Sequence, residues 1–211
     1  ETASVRRIAA EELGQAESLQ PLVVLIKALE DSSDAVSKAA MLSLFQLVSR
    51  APAERTTRIR ETIAEQLHSL DDSLVVPPLL DICRETPRTV ILWHAVWFLG
   101  RVPSEPREAV VDRLLEALDS DDDSVARVAV SSLEQIADDD VEKRLRIFTQ
   151  NDDASEEAIA RAESLLEKLR PNSASEAVTN SIDVTYVRDP TDYTDSHRDD
   201  DQDQDQTRDH S

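Results

Sequence analysis

Glycine is almost missing from this chain. Gly14 and Gly100 are the only two in 211 residues, and neither adjoins a phosphate-loop or dinucleotide-binding sequence, so both kinds of nucleotide cradle are absent. There is no nucleophile-elbow motif either. Cys83 is the sole cysteine, which rules out a disulfide within the chain and any cysteine-based zinc site, and fits a reducing, cytoplasmic setting. No uninterrupted apolar run approaches the roughly eighteen residues of a membrane span. The first residues lack the charged-then-apolar pattern of a secretory signal. Aromatic residues make up only 3% of the chain, and lysine is scarce, with 4 against 19 arginines. Nothing in these positions calls for catalysis, a metal or a cofactor.

Acid, by contrast, is abundant. The formal net charge is −21, and the acidity is spread along the whole length. Two readings compete: a surface that binds a basic partner, or adaptation to molar salt, where carboxylates hold water and their repulsion is screened. The even spread favours the second, and the composition resembles that of proteins from halophilic archaea.

Composition divides the chain near residue 170. Residues 1–170 are rich in Leu, Ala, Val, Ile, Glu and Arg. From Pro171 onward leucine disappears, and eleven acids stand against three arginines. That segment, 171–211, is too charged and too poor in apolar residues to fold, and reads as a disordered acidic tail. Within it, 182–187 alternates like a strand, so Val184 and Tyr186 are candidates for docking on a partner.

In the body, apolar residues recur at three- and four-residue spacing, the pattern of amphipathic helices. Breaks at Asp/Ser or Pro clusters cut it into about ten short helices. Several of these are copies of one template. Val5, Ile8, Ala9 and Leu13 match Val36, Ala39, Ala40 and Leu44, then Ile91, His94, Ala95 and Leu99, then Val125, Val128, Ala129 and Leu133. Apolar or core-facing residues stand at 0, +3, +4 and +8, with small ones where helices approach closely. Asp34 and Asp123, at −2, are placed to cap their helices. The preceding segment repeats too, since Ile26, Ala28 and Leu29 match Leu115, Ala117 and Leu118 at an offset of 89 residues. Ala158, Ala162 and Leu166 make a weaker fifth copy. Each unit is therefore a helix, an acidic turn and a second helix.

These residues, over about 2–168, resemble the short HEAT repeats of the subtype found in phycobilisome lyases, in which the inner helix carries Asp-x-Val-Arg-x-x-Ala-Ala-x-x-Leu-Gly. The Arg after Val is kept as Arg6 and replaced by Ser37, Leu92 and Ala126. The resemblance implies an all-α fold, an α-solenoid of stacked antiparallel helix pairs stabilised by neighbour-to-neighbour interfaces.

Two irregularities stand out. Residues 2–14 form an inner-type helix without an outer partner before it; together with Glu1 in place of Met, this leads us to expect repeats lost upstream. Template starts are spaced 31, 55 and 34 residues apart, so the middle interval is too long for one repeat. An irregular repeat is expected near 51–87. A long polar helix should run over about 53–70, with a break in the solenoid near 51–78, because Pro77 and Pro78 suit a first helical turn and not an interior.

Candidate sites are few. Trp93 and Trp97, at i and i+4, form a stripe where other copies are mostly polar, and would anchor a partner if exposed or pack on the irregular repeat if not. Arg55, Arg58 and Arg60 are a local basic cluster, whose ordinary role would be to pair with Glu54, Glu61 and Glu65 on the same helix; against so negative a surface they argue weakly for nucleic acid. His94 occupies a core position and reads as a buried, hydrogen-bonded histidine. Asp119 to Asp123 lacks the turn glycine and closing glutamate of a calcium loop and reads as a solvated turn. The expected function is a non-catalytic scaffold or adaptor that binds another protein. A phycobilin-lyase-like role, implied only by the repeat resemblance, and nucleic-acid binding are the alternatives.

Overall fold

A computed structural model describes residues 1–102 and 107–170 of the unit Glu1–Pro171. The tail reading, with Val184 and Tyr186, lies outside the described residues. The described residues form ten helices: α1 (Ala3–Leu13), α2 (Leu22–Ala28), α3 (Asp34–Arg50), α4 (Ala53–His68), α5 (Asp72–Glu85), α6 (Thr89–Leu99), α7 (Arg107–Leu118), α8 (Asp123–Gln135), α9 (Asp139–Phe148) and α10 (Glu156–Leu169). None of them is long and apolar enough to cross a membrane.

Helix pairs α2/α3, α5/α6, α7/α8 and α9/α10 are the repeats, and they stack into a solenoid with two rows. The inner row runs α1, α3, α6, α8, α10; α5, α7 and α9 pack successively in the outer row. The template positions explain the stacking. In α3, α6 and α8 all twelve are buried, whereas in α1 Val5 and Ile8 are half exposed. One continuous apolar core results.

The turns supply the caps. Asp71, Asp122, Asp138 and Ser155 each accept a backbone N–H at the start of the following helix, satisfying donors that the helix leaves unpaired. Asp34 and Asp123 are not the caps expected of them. Each is the first residue inside its helix, where a negative charge favours the positive end of the helix dipole, and the cap positions fall one residue earlier, on Ser33 and Asp122.

The acidic turn at 119–123 is structural. Asp119 accepts from the backbone N–H and hydroxyl of Ser155, Asp122 caps α8, and Asp123 pairs with Arg127 and Arg161. Arginines also tie the repeats together: Arg6 to Asp31, Arg107 to Asp138, and Arg144 to Glu108 and Asp112, with Asp140 of its own helix as a third partner.

The long middle interval contains one extra helix. α3 packs directly on α5 and α6, so the solenoid is not broken at 51–78; α4 is set aside from the stack. Nor do the prolines break α5, which runs from Asp72 to Glu85 through both. An interior proline costs about 3 kcal/mol. Against that, α5 buries Val75, Val76, Leu79, Leu80, Ile82 and Cys83, each contributing about 1.5 to 3 kcal/mol for a large side chain. Tertiary burial outweighs local propensity here.

The two glycines serve one recurring crossing. Gly14 and Gly100 stand at template position +9, and a Cβ on either would come within 2.5 Å of Ser43 or Ser132, the +7 residue of the next inner helix. Phe45 occupies +9 in α3, and its ring stacks on Phe98, the +7 residue of α6, at 5.2 Å between centroids. Small pairs thus draw α1 to α3 and α6 to α8, and an aromatic pair spaces α3 from α6.

Candidate functional site

α4 is amphipathic and short of partners. It buries Ile63, Ala64 and Leu67 but not Arg55 and Arg58, which are exposed on its outer side. Arg60, two residues on, turns inward. Its guanidinium lies over both tryptophans of α6, 4.6 Å from the Trp93 ring centroid and 5.2 Å from that of Trp97. From the turn that follows α6, Arg101 lies 4.1 Å over Trp97 and donates to the Trp97 carbonyl.

So the Trp93/Trp97 stripe is covered. Trp97 is 8% exposed and Trp93 is half-buried, although the equivalent positions on α1 and α8 are largely open. Burial lowers the pKa of Arg60; Arg101 is lowered by burial and then by the Arg60 charge. Both stay protonated, as arginine does in proteins. Each guanidinium therefore gives up water for a ring face, a contact worth about 0.5 to 2 kcal/mol.

Among the described residues no ion pair joins Arg55, Arg58 or Arg60 to Glu54, Glu61 or Glu65. The pairing expected along α4 is replaced, for Arg60, by cation-π contact. Arg60 Nε is buried without a hydrogen-bond partner.

His94 completes the floor. It is 4% exposed, packed against Phe45 and, edge-on, Trp93. The Ser49 hydroxyl donates to the Phe45 carbonyl at 2.7 Å, so it accepts from His94 Nε2 at 3.1 Å. The proton is thus on Nε2, and Nδ1 is left as a bare acceptor with no partner. Burial pushes the His94 pKa down to about 4, keeping the ring neutral. Cys83, also buried, has its thiol pushed up to about 12 and is inert as a nucleophile.

Two open clefts flank Arg60. One, about 350 Å³, is lined by Ser49, Thr56, Arg60, Val90, Trp93 and His94 among others; the second, about 420 Å³, by Glu61, Ala64, Glu65, His68, Trp97 and Arg101. A larger cleft between α7 and α9 has Arg144 in its wall, already engaged with three carboxylates. Sequence reasoning singled out the tryptophans but not Arg60 in this role, nor Arg101. The latter was visible as an i, i+4 neighbour of Trp97.

A profile of HEAT repeats matches residues 46–134 and 76–167, more than half of the chain. The chain belongs to the HEAT-repeat family. It is similar to a HEAT repeat-containing taxis protein of Halobacterium salinarum, with 29% identity over 142 residues, 66% of this chain and 35% of the relative. The chain thus spans about a third of that relative's length. Among solved structures it is similar to an engineered protein (20% identity, 85% of this chain and 79% of that one, TM-score 0.39). A designed armadillo repeat protein is also similar (15% identity, 80% and 94%, TM-score 0.35).

Proposed function

We propose that this HEAT-repeat chain is a non-catalytic scaffold that binds another protein through the inner face of its solenoid, as an adaptor in taxis signalling. The observation that carries the binding reading is the Trp93/Trp97 stripe. Two tryptophans of the inner row stand at positions that are largely open on α1 and α8, with Arg101 beside them and Arg60 of α4 over them, and Trp and Arg are the residues that most often dominate binding energy at protein interfaces. The taxis part comes from the halophilic relative's name alone.

The spread of acidity, the scarcity of lysine and the halophilic relative support adaptation to a salt-rich cytoplasm. Residues 171–211 serve as an acidic tail, with Val184 and Tyr186 as a secondary docking patch. The phycobilin-lyase and nucleic-acid alternatives rest on resemblance and on Arg55 and Arg58, which are interleaved with Glu54, Glu61 and Glu65.

Affinity capture from native cytoplasm at high and low salt tests the scaffold. A partner held by the intact chain should be lost on Trp93→Ala/Trp97→Ala with circular dichroism unchanged, and kept when Arg146 on the outer row is replaced by Glu. No specific partner at either salt would sink the reading. Deleting the chain in its host should impair directed movement without stopping motility; unaltered taxis would remove the signalling assignment alone.

A further inference from the structure

We infer that α4 is a displaceable cover on the inner face, and that what displaces it is an acidic amphipathic helix of a partner protein. This rests on the scaffold reading and assigns the chemistry of its partner.

The first support is how α4 is held. Several other junctions along the stack carry polar ties between helices or turns: Arg50 to the Gly14 carbonyl, Lys38 to Glu85, Ser132 to the Val96 carbonyl, Arg144 to Glu108 and Asp112, Lys168 to Glu134. The side-chain hydrogen bonds around α4 are local. Thr56 bonds the Ala51 and Pro52 carbonyls, Arg60 reaches Thr57, and Ser69 bonds the Gln66 carbonyl. Among the described residues no hydrogen bond or ion pair ties α4 to another helix. It stays down through the apolar contacts of Ile59, Ile63, Ala64 and Leu67, the Arg60 contact and the attraction between Glu61 and Arg101.

The second support is that the covered state leaves polar groups unmet. Among the described residues, three buried side-chain atoms lack hydrogen-bond partners, and two of them, Arg60 Nε and His94 Nδ1, lie at the junction of α4 and α6. A buried polar group without a partner costs about 1 to 3 kcal/mol. Lifting α4 between its flanking segments, 51–52 and 69–71, opens both atoms to water, and takes away both Arg60, whose charge disfavours that of Arg101, and Glu61, whose charge favours it.

Charge and shape name the replacement. At template position +2, the copies of Trp93 are Arg7, Lys38 and Arg127, each held by a carboxylate of this chain, Glu11, Glu85 and Asp123, whereas Arg101 beside Trp97 faces α4. The carboxylates Glu54, Glu61 and Glu65 belong to α4 and leave with it. The surface uncovered is aromatic, and the cation on it, Arg101, loses with Glu61 the carboxylate that favoured its charge. The space already accommodates a helix with apolar residues at 63, 64 and 67, one turn after position 60. A helix of the same spacing, with a carboxylate where Arg60 stands, would pair with Arg101 in place of repelling it.

The test uses the whole chain, whose only tryptophans are the two in question. By hydrogen exchange, α4 amides should open well before those of α3 and α6, and Arg60→Ala should speed α4 alone by about fivefold. Arg60→Met, which keeps the stem, should fall between. The binding probe is a peptide of sequence 53–68 with Glu at 55, 58 and 60, followed by tryptophan fluorescence. It should bind the Arg60→Ala chain about fivefold more tightly than wild type, because a weaker cover competes less, and lose about tenfold on Arg101→Ala. Equal protection of α4 and α3 would overturn the cover, as would binding indifferent to Arg60. Tighter binding of the same peptide carrying Lys at 55, 58 and 60 would overturn the acidic assignment. A captured partner insensitive to Arg60 and Arg101 would leave the scaffold standing and this inference refuted.

Discussion

At the scale of the residue, Gly100 and His94 have the most to report. Gly100 is right-handed helical, with φ −82° and ψ 0°, so alanine fits the backbone and would gain up to about 1 kcal/mol in propensity. Sterics oppose it: the added Cβ would lie 2.6 Å from the Ser132 Cα, a backbone contact that no rotamer change relieves. Overpacking of this kind costs about 1 to 3 kcal/mol, and the helices must part to accept it. Gly100→Ala should therefore lower Tm by a few degrees, about 2 to 4 °C per kcal/mol, and Gly14→Ala should act the same way against Ser43. An unchanged or raised Tm for both would refute the matched crossing. His94 predicts a pH dependence. Its pKa falls from 6.5 to about 4 on folding, so the unfolded chain binds the extra proton between those values. Stability is fully present above pH 6.5 and declines as pH falls towards 4, by up to about 3 kcal/mol in all. The carboxylates with lowered pKa, Asp31, Asp71, Asp122 and Asp138, lose their contributions only as pH drops below their ordinary range. Denaturant midpoints for His94→Gln should lack the wild-type slope between pH 6.5 and 4; persistence of the slope would assign it elsewhere.

Among the helices, α5 offers a clean measurement. Pro77 is exposed, so replacing it removes little core contact while restoring an N–H towards the Ser73 carbonyl. The gain in helix propensity, about 3 kcal/mol, exceeds the 0.4 to 1 kcal/mol or so by which proline restrains the unfolded chain. Pro77→Ala should thus stabilise the solenoid by about 1 to 2 kcal/mol, read as a higher urea midpoint at constant slope. Destabilisation would mean that the proline shapes α5 to fit α3 and α6. The contrast shows what was legible in the sequence. Helix identity and the inner-row template were, because Val36, Ala40, Leu44 and their copies repeat a burial pattern set by the 3.6-residue turn. The continuity of α5 was not, since local rules stop a helix at Pro77 and only the burial of Val75 to Cys83 overrides them. The offset of 55 residues announced an irregularity but not its form, because α4 follows no template. Trp93 and Trp97 were conspicuous by type; that Arg60 and not Glu61 answers them depends on how α4 lies on α6, which no spacing in the chain encodes.

For the whole molecule the governing quantity is charge. Acids outnumber bases 44 to 23, so even with every cation paired, twenty-one carboxylates have no counterion within the chain. Their mutual repulsion reaches beyond contact distance and opposes compaction. The arginine bridges between repeats act at contact, as in Arg107 to Asp138 at 2.6 Å. Raising salt from 0.1 to 1 M shortens the Debye length from about 10 to about 3 Å, which silences the long-range repulsion and spares much of the contact pairing. Exposed bridges contribute only about 0 to 1 kcal/mol each, so the relief of repulsion wins. Thermal melts in increasing NaCl should therefore climb, by about 5 °C or more across that range, with Arg144→Met shifting every point down and leaving the climb intact. A Tm that falls with salt would mean that the inter-repeat bridges govern stability, and the even spread of acid along the chain would then belong to a basic partner and not to the solvent.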